Sequence, residues 1–506
     1  MNPSNRNLAG VLDAGVERDQ LAFIGLDSAM RESRYSFGQL DELVNAVARG
    51  LLARGYAPGE RIAILASNSV EYLAVVLGTM RAGLVSVPVN FKLPKALIEY
   101  VVNDSGARLL LCDRARLALA PDGVDRLTLE GEGPERLSQL LDPGPLEMFQ
   151  PRGEEPAMIL YTSGSTGKPK GVVLSHAAHL WVVRTRLEAT PLCNERALIA
   201  APFYHMNALA LALLSLASRA TTVLLAQFTA QAYLQAIERY RCTWLTAVPP
   251  MIAMILREPL EGVDLSSVRV VRMGSAPVSA SLLEQIHRLL PNARVINAYG
   301  TTEGGPVVFA AHPAGLATPP LAVGCAHPQV SLRLRDEEGK ESDQGVLELK
   351  SPGLMSGYHQ RPDLASPFTA DGYYVTGDVF HRDAEGFYTF VGRRDDMFVS
   401  GGENIYPGEI EKMLEGHPAV QQACVVPVED EIKGYKPVAF VVLRPLARAS
   451  EEELKAFSLE HAAAYQHPRR IWLLDALPLA GTNKIDRHAL RMRAAQLWQG
   501  LRWEEE

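Results

Sequence analysis

Apolar residues recur at helical spacing over 39–53, where Leu40, Leu43, Val44, Val47, Leu51 and Leu52 form one stripe, and this predicts an amphipathic helix. The first 35 residues carry little pattern. Beyond the helix, short apolar runs predict strands over 61–65, 85–87 and 107–112, with helices over 68–82 and 95–104 between them. Strand and helix in alternation imply an α/β layer with a mostly parallel sheet. The stretch 117–151 is rich in Gly, Pro and acids and reads as a variable connector. Two more apolar runs, 157–161 and 172–174, flank a polar loop, and Ser175 then offers an N-cap for a helix over 177–187. A second α/β series follows, with strands over 196–200, 221–225, 244–247, 268–273 and 294–297 and helices over 208–218, 230–240 and 280–290. After about residue 324 the texture changes to short strands with turns (330–335, 345–350, 386–391), a small β-rich subdomain. From 395 a shorter α/β unit has helices over 408–414 and 451–465 and strands over 421–427 and 436–443.

Length changes this picture first: 506 residues exceed what one core organises, so two or more domains are expected. The 47% hydrophobic and 21% charged content is that of a soluble globular protein. A net charge of −8 argues against nucleic acid as a partner. Five cysteines, none in a Cys-x-x-Cys pair, suit a reducing cytoplasm. The N-terminus lacks a signal-peptide core, the C-terminal Glu504, Glu505 and Glu506 are no peroxisomal address, and no apolar run is long enough for a membrane span. No motif sets the oligomeric state; a homodimer is one assembly open to the chain.

The polar loop 161–171 carries the first candidate chemistry. Gly164 and Gly167 let the backbone turn its N–H groups toward an anion. Thr162, Ser163, Ser165 and Thr166 add hydroxyl donors, and Lys168 and Lys170 add positive charge. The spacing is not that of a Walker A loop, because two residues separate the glycines and Pro169 follows Lys168. As an ordered run, it resembles the phosphate-binding signature of the adenylate-forming superfamily: acyl-CoA and aryl-CoA synthetases, peptide-synthetase adenylation domains and beetle luciferases.

Further runs fit that resemblance. In 297–303, Asn297 offers an amide to an adenine edge, Tyr299 a stacking face, Thr302 a hydroxyl to the α-phosphate and Glu303 a hard oxygen ligand for Mg²⁺. Gly300 and Thr301 belong to the same nucleotide set, as do Ser275 and Ala276 after an earlier strand. Asp378, expected just after a strand and Gly377, can accept from both ribose hydroxyls, and Arg393 can reach ribose or phosphate oxygens. The resemblance implies that Asp395 is a hinge and that Lys484, in the C-terminal run 478–487, is the adenylation lysine. Asn483 stands where the superfamily usually has glycine. His205, in Pro202-Phe203-Tyr204-His205, matches an aromatic gate between the acyl and ATP sites.

The resemblance is closest to the 4-coumarate/feruloyl-CoA ligase and fatty acyl-CoA ligase branch. It places the acyl pocket at His205, Asn207, Leu211, Gly274, Gly300, Pro306 and Val307, and lets a pantetheine arm pass Gly401 and Gly402. No aspartate follows the gate to pair with a substrate ammonium, which disfavours amino acids. His176 and His179 lack an acidic third ligand for zinc, and no serine-hydrolase elbow occurs. The implied fold is a large α/β domain over 1–394, including the β-rich subdomain, followed by a smaller mobile α+β domain over 395–506. The implied activity is ATP- and Mg²⁺-dependent joining of a carboxylic acid to coenzyme A through an acyl-adenylate. An aromatic acid of hydroxycinnamate or benzoate type is the first expectation and a medium-chain fatty acid the second. Loading of a carrier protein is a further alternative; a non-catalytic ATP-binding module is disfavoured by the intact Lys484, Glu303 and Arg393.

Overall fold

The computed structural model describes residues 5–12, 18–130, 136–162, 168–274, 278–400, 403–430, 433–463, 465–480 and 484–505. Two seven-stranded sheets form the bulk of the chain. One runs, in spatial order, Arg294–Asn297, Val270–Met273, Trp244–Ala247, Arg196–Ile199, Thr221–Leu225, Leu21–Leu26 and Glu32–Ser36. It is parallel except for its last pair. The other runs Gly357–Tyr358, Lys170–Ser175, Pro156–Thr162, Val85–Pro88, Arg61–Leu65, Ala107–Cys112 and Asp125–Thr128. Helices from the two halves share one large apolar cluster between these sheets. No helix among the described residues is long and apolar enough to cross a membrane.

The stripe over 39–53 becomes the helix Phe37–Ala53, opened by a capping box: Ser36 Oγ accepts from Gln39 N–H at 3.2 Å, and Gln39 Oε1 accepts from Ser36 N–H at 2.9 Å. Its stripe is shorter than the periodicity predicts, since Leu52 at the helix end is 40% exposed. Four regions depart further from the reading above. Leu21–Leu26, within the uninformative first 35 residues, is a buried strand lying against Thr221–Leu225. The supposed connector 117–151 holds an edge strand, Asp125–Thr128, in which only Leu127 is buried, so it lacks an apolar signature. The helix Pro249–Ile255, absent from that reading, starts on Pro249 and Pro250, because proline suits the first turn. The helix beginning at Glu451 stops at His461, where Ala462 turns extended, short of the predicted 465.

An antiparallel six-stranded sheet follows, from Phe309–Ala310 to Ser331–Arg335, with Tyr374–Arg382 and Tyr388–Arg393 adjacent at its centre. The last sheet has five strands: Glu403–Ile405, Phe398–Ser400, Gly434–Leu443, Val420–Asp430 and Ile471–Leu473. The apolar clusters on its two faces draw only on residues from Phe398 onward. Gln421, 4% exposed, docks this unit on the parallel sheet's helices: it donates to Ala253 O at 3.1 Å and accepts from Arg257 Nε at 3.1 Å. Arg444 Nη2 adds a 2.6 Å bond to Ser281 Oγ.

Candidate active site

The strands Pro156–Thr162 and Lys170–Ser175 form an antiparallel hairpin in which Thr162 and Lys170 are opposite each other. The Tyr161 hydroxyl ties its stem to the helix Lys95–Ser105 through Asp104 Oδ2 at 2.6 Å. The tip of the hairpin, with Ser163, Gly164, Ser165, Thr166 and Gly167, lies outside the described residues, as do Ser275, Ala276, Gly401, Gly402 and Asn483. At the open end, Thr162 Oγ1 donates to Glu303 Oε1 at 3.3 Å, and the Tyr358 hydroxyl approaches the same oxygen at 3.4 Å. Lys170 Nζ stands 5.3 Å from the Tyr358 ring centre. Glu303 is presented by a tight turn. Gly304 N–H donates to Thr301 Oγ1 at 2.7 Å, and Gly305 adopts φ +79°, where a side chain would meet Gly353 O at 2.7 Å. Thr301 therefore commits its hydroxyl to the turn, while Thr302 stays half-buried beside Glu303.

A second cluster forms where Tyr374–Arg382 pairs with Tyr388–Arg393, because the register sets Asp378 opposite Arg393. Asp378 Oδ1 is 3.4 Å from Arg393 Nη1, and Oδ2 accepts from the Tyr299 hydroxyl at 2.5 Å. Arg393 Nη2 is also 3.9 Å from Asp395. This corrects the expectation that Asp378 follows a strand: it lies inside one, 4% exposed, with each oxygen already engaged. Burial pushes its carboxyl up, opposed by Arg393, Tyr299 and Lys484. Tyr299 sets its ring edge-on against Phe380 at 4.9 Å. Asn297 Nδ2 donates to Leu321 O at 3.0 Å.

Lys484, on the C-terminal loop, lies within electrostatic range of both acidic groups: burial lowers its pKa, Asp378 and Glu303 raise it, and Arg393 lowers it further. A Leu479–Ile485 bridge and an Ala480 N–H bond to Lys484 O at 2.7 Å shape the loop. Its base is anchored by Arg487, which grips Glu411 with two bonds of 2.6 Å. Sequence reasoning assigns Tyr358 and Arg487 no role; their partners are 55 and 76 residues away, so no local motif marks them.

His205 caps the helix Met206–Ser218 with its backbone and sets its ring 4.6 Å from Tyr204, which in turn meets Phe91 at 5.3 Å. Asn207 is half-buried in the first helical turn, and Leu211 and Val307 are buried. A side chain at Gly274 would touch Ala298 O at 3.4 Å. One at Gly300 would strike Pro306 Cα at 2.8 Å, so the turn itself requires that glycine. His176 and His179 are packing residues: burial lowers both to about 4, and His176 Nδ1 accepts from Leu8 N–H at 3.0 Å.

The family model for the AMP-binding enzyme matches residues 13–359, and that for the AMP-binding enzyme C-terminal domain matches 409–484. The chain belongs to the AMP-binding enzymes. Among its relatives in this family is a feruloyl-CoA synthase of an Amycolatopsis species, 33% identical over 90% of this chain and 94% of that one. A fatty acid–[acyl-carrier-protein] ligase, ScoC, of Streptomyces coeruleorubidus is also 33% identical, over 90% of this chain and 91% of that one. Among solved structures, ATP-bound MatB from Rhodopseudomonas palustris superposes with a TM-score of 0.88 at 29% identity, covering 98% of this chain and 100% of that one. Such relatives place this AMP-binding enzyme among the AMP-forming acid–thiol ligases, in the acyl-CoA and aryl-CoA synthetase branch.

Proposed function

We propose that the chain is an ATP-dependent carboxylate–CoA ligase that makes an acyl-adenylate and then an acyl-CoA thioester. The observation that carries this reading is the pairing of Asp378 with Arg393 and Tyr299 together with the Glu303–Thr162 contact, with Lys484 in electrostatic range of both acids. In the first step a carboxylate oxygen of the acid attacks the α-phosphorus of ATP and pyrophosphate leaves. Lys484 bridges the carboxylate and α-phosphate and offsets the negative charge as it builds. Asp378 and Arg393 hold the ribose, Tyr299 and Asn297 the adenine, and the 162–170 hairpin the phosphates. Glu303 with the Thr162 and Tyr358 hydroxyls is a hard-oxygen set that fits Mg²⁺, which would supply further charge neutralisation beside the phosphates. No protein nucleophile is needed; the chain positions the reactants and stabilises charge.

In the second step the thiol of coenzyme A attacks the acyl carbon, its proton goes to solvent, and AMP leaves with its electron pair. We assign the turn Arg394–Asp396 as the hinge between units 1–394 and 395–506, with Asp395 at its centre. Rotation there would break the Gln421 and Arg444 contacts, withdraw Lys484 and bring Gly401 and Gly402 toward the cleft. The acid enters past His205 and lies along Asn207, Leu211, Gly274, Gly300, Pro306 and Val307, which suits an aromatic acid first and a medium-chain fatty acid second. The relative ScoC supports a second reading, transfer to a carrier protein. Five free cysteines fit a cytoplasmic enzyme.

The test is acid-dependent pyrophosphate release, with and without coenzyme A, over benzoates, hydroxycinnamates and aliphatic acids. Release coupled to thioester formation is expected. Release without transfer to coenzyme A would move the reading to carrier-protein loading, and no release with any acid would overturn it.

A further inference from the structure

We propose that Arg272 and Arg186 form an anion site at the far end of the acyl slot, so that the acid this enzyme activates carries a second carboxylate or a sulfonate. This rests on the acid-activating reading above and names its substrate class. The strand Val270–Met273 alternates strictly. Val271 and Met273 pack into the cluster beneath the helix Ala280–Leu289, while Val270 faces the opposite cluster, with Trp244 and the helices His176–Ala189 and Met206–Ser218. Arg272 shares the face of Val270, and Gly274 follows two positions on. Its neighbours on that face are Thr246 and Ile296, by register. Arg186 comes from the helix His176–Ala189, three residues after Val183, which is buried in the same cluster as Val270.

Burial, and after it the charge of Arg272, holds Arg186 well below the usual arginine range, and burial lowers Arg272 to about 10. Both are half-buried, and among the described residues neither has an ion pair or a hydrogen bond. Other arginines of the chain behave differently. Arg333 is held by Glu348 and Asp371, Arg487 by Glu411, and Arg81 by Asp41. Two like charges set together in a desolvated place without a counter-ion are unfavourable unless something brings the negative charge. Guanidiniums bind planar oxyanions bidentately, which makes a carboxylate or sulfonate the fitting guest. Nucleotide phosphate is a poorer fit, because the reading above assigns the phosphates to Thr162, Lys170 and Glu303.

The experiment compares matched acids differing only at the distal group: benzoate with terephthalate and 4-sulfobenzoate, and butyrate with succinate. In the wild type at least one dianion should exceed its neutral partner in kcat/KM by about tenfold or more, because an unfilled charged site rejects the neutral analogue. Arg272→Met should abolish that preference while leaving turnover of the neutral acid and the KM for ATP nearly unchanged, and Arg272→Lys should keep part of it. Carboxylate against sulfonate in the panel separates the two guests. Preference for the neutral partner in every pair, or equal loss on both partners in Arg272→Met, would sink the anion site and leave the ligase reading standing. Absence of pyrophosphate release with every acid would remove both.

Discussion

The two sides of the cleft treat charge differently. On the nucleotide side, Asp378 is answered by Arg393 and Tyr299, and Glu303 gathers hydroxyls from Thr162 and Tyr358. On the proposed acyl side, Arg186 feels the charge of Arg272, and neither arginine is paired with a carboxylate among the described residues. A site for a ligand shared by a whole family can be pre-balanced, because every member binds the same nucleotide. A site for the variable substrate can leave charge open, because the substrate completes it. Variants on the first side should therefore act on all acids alike, and variants on the second should discriminate between them.

The largest expected effect belongs to the nucleotide side. Lys484→Ala should slow acyl-adenylate formation by about 10²–10³-fold, the scale for removing a group that meets developing charge. The loss should be equal for every acid that the wild type uses. Thioester formation from synthetic acyl-adenylate should survive, since the proposed second step proceeds with Lys484 withdrawn. Single-turnover measurement of each half-reaction decides this; equal loss of both in a folded variant would refute the assignment. Arg272→Met differs from it in being selective by acid.

Asp378→Ala comes next. It leaves Arg393 without its cross-strand partner and Tyr299 without an acceptor, and it removes the proposed ribose contact. A lost bond to a charged group is worth about 1.5–3 kcal/mol, so ATP affinity should fall about tenfold or more. Affinity for the acid should stay put. Calorimetry on variant and wild type measures both; unchanged ATP binding would show that Asp378 only braces the strands.

The two sides also differ in how far the sequence alone reveals them, for physical reasons. The 161–171 loop and the 297–303 run stand out in the sequence because their signal is local: the residues that make each pattern are consecutive. Parallel strands such as Arg61–Leu65 and Trp244–Ala247 are legible because burial on both faces leaves a continuous apolar run. The edge strand Asp125–Thr128 has no such run, since Leu127 is its single buried residue. It therefore reads as a connector, though its register with Ala107–Cys112 is regular. Tyr358, Gln421 and Arg487 are illegible because each acts on a partner far along the chain. Arg272 is illegible for another reason: one arginine inside an apolar strand reads as an interruption until the register places it on the face of Val270, two residues before Gly274.

The smallest effect lies on neither side of the cleft but in the contact that holds Lys484 there. Glu415 is half-buried where the last unit meets the helix Ala280–Leu289: its Oε1 accepts from Ala423 N–H at 3.1 Å, and Ser279 hydrogen-bonds it. Burial pushes its carboxyl up to about 7, with Ser279 and Ala423 opposing, Glu411 adding to the rise and Lys412 reducing it. Between the ordinary glutamate value of 4.5 and about 7, the folded chain therefore holds a proton that the unfolded chain has released. Stability from this group is fully present below that window and falls as pH rises through it. Glu415→Gln removes the titration, so the wild type should lose on the order of 2 °C in Tm relative to the variant between about pH 5 and pH 7.5, its partial solvent access keeping the effect small. Parallel melting curves across that range would show that Glu415 stays charged at the contact. Because the acyl and nucleotide sides lie elsewhere, this variant should leave the preference between neutral and dianionic acids untouched, which separates the hold on Lys484 from the choice of acid.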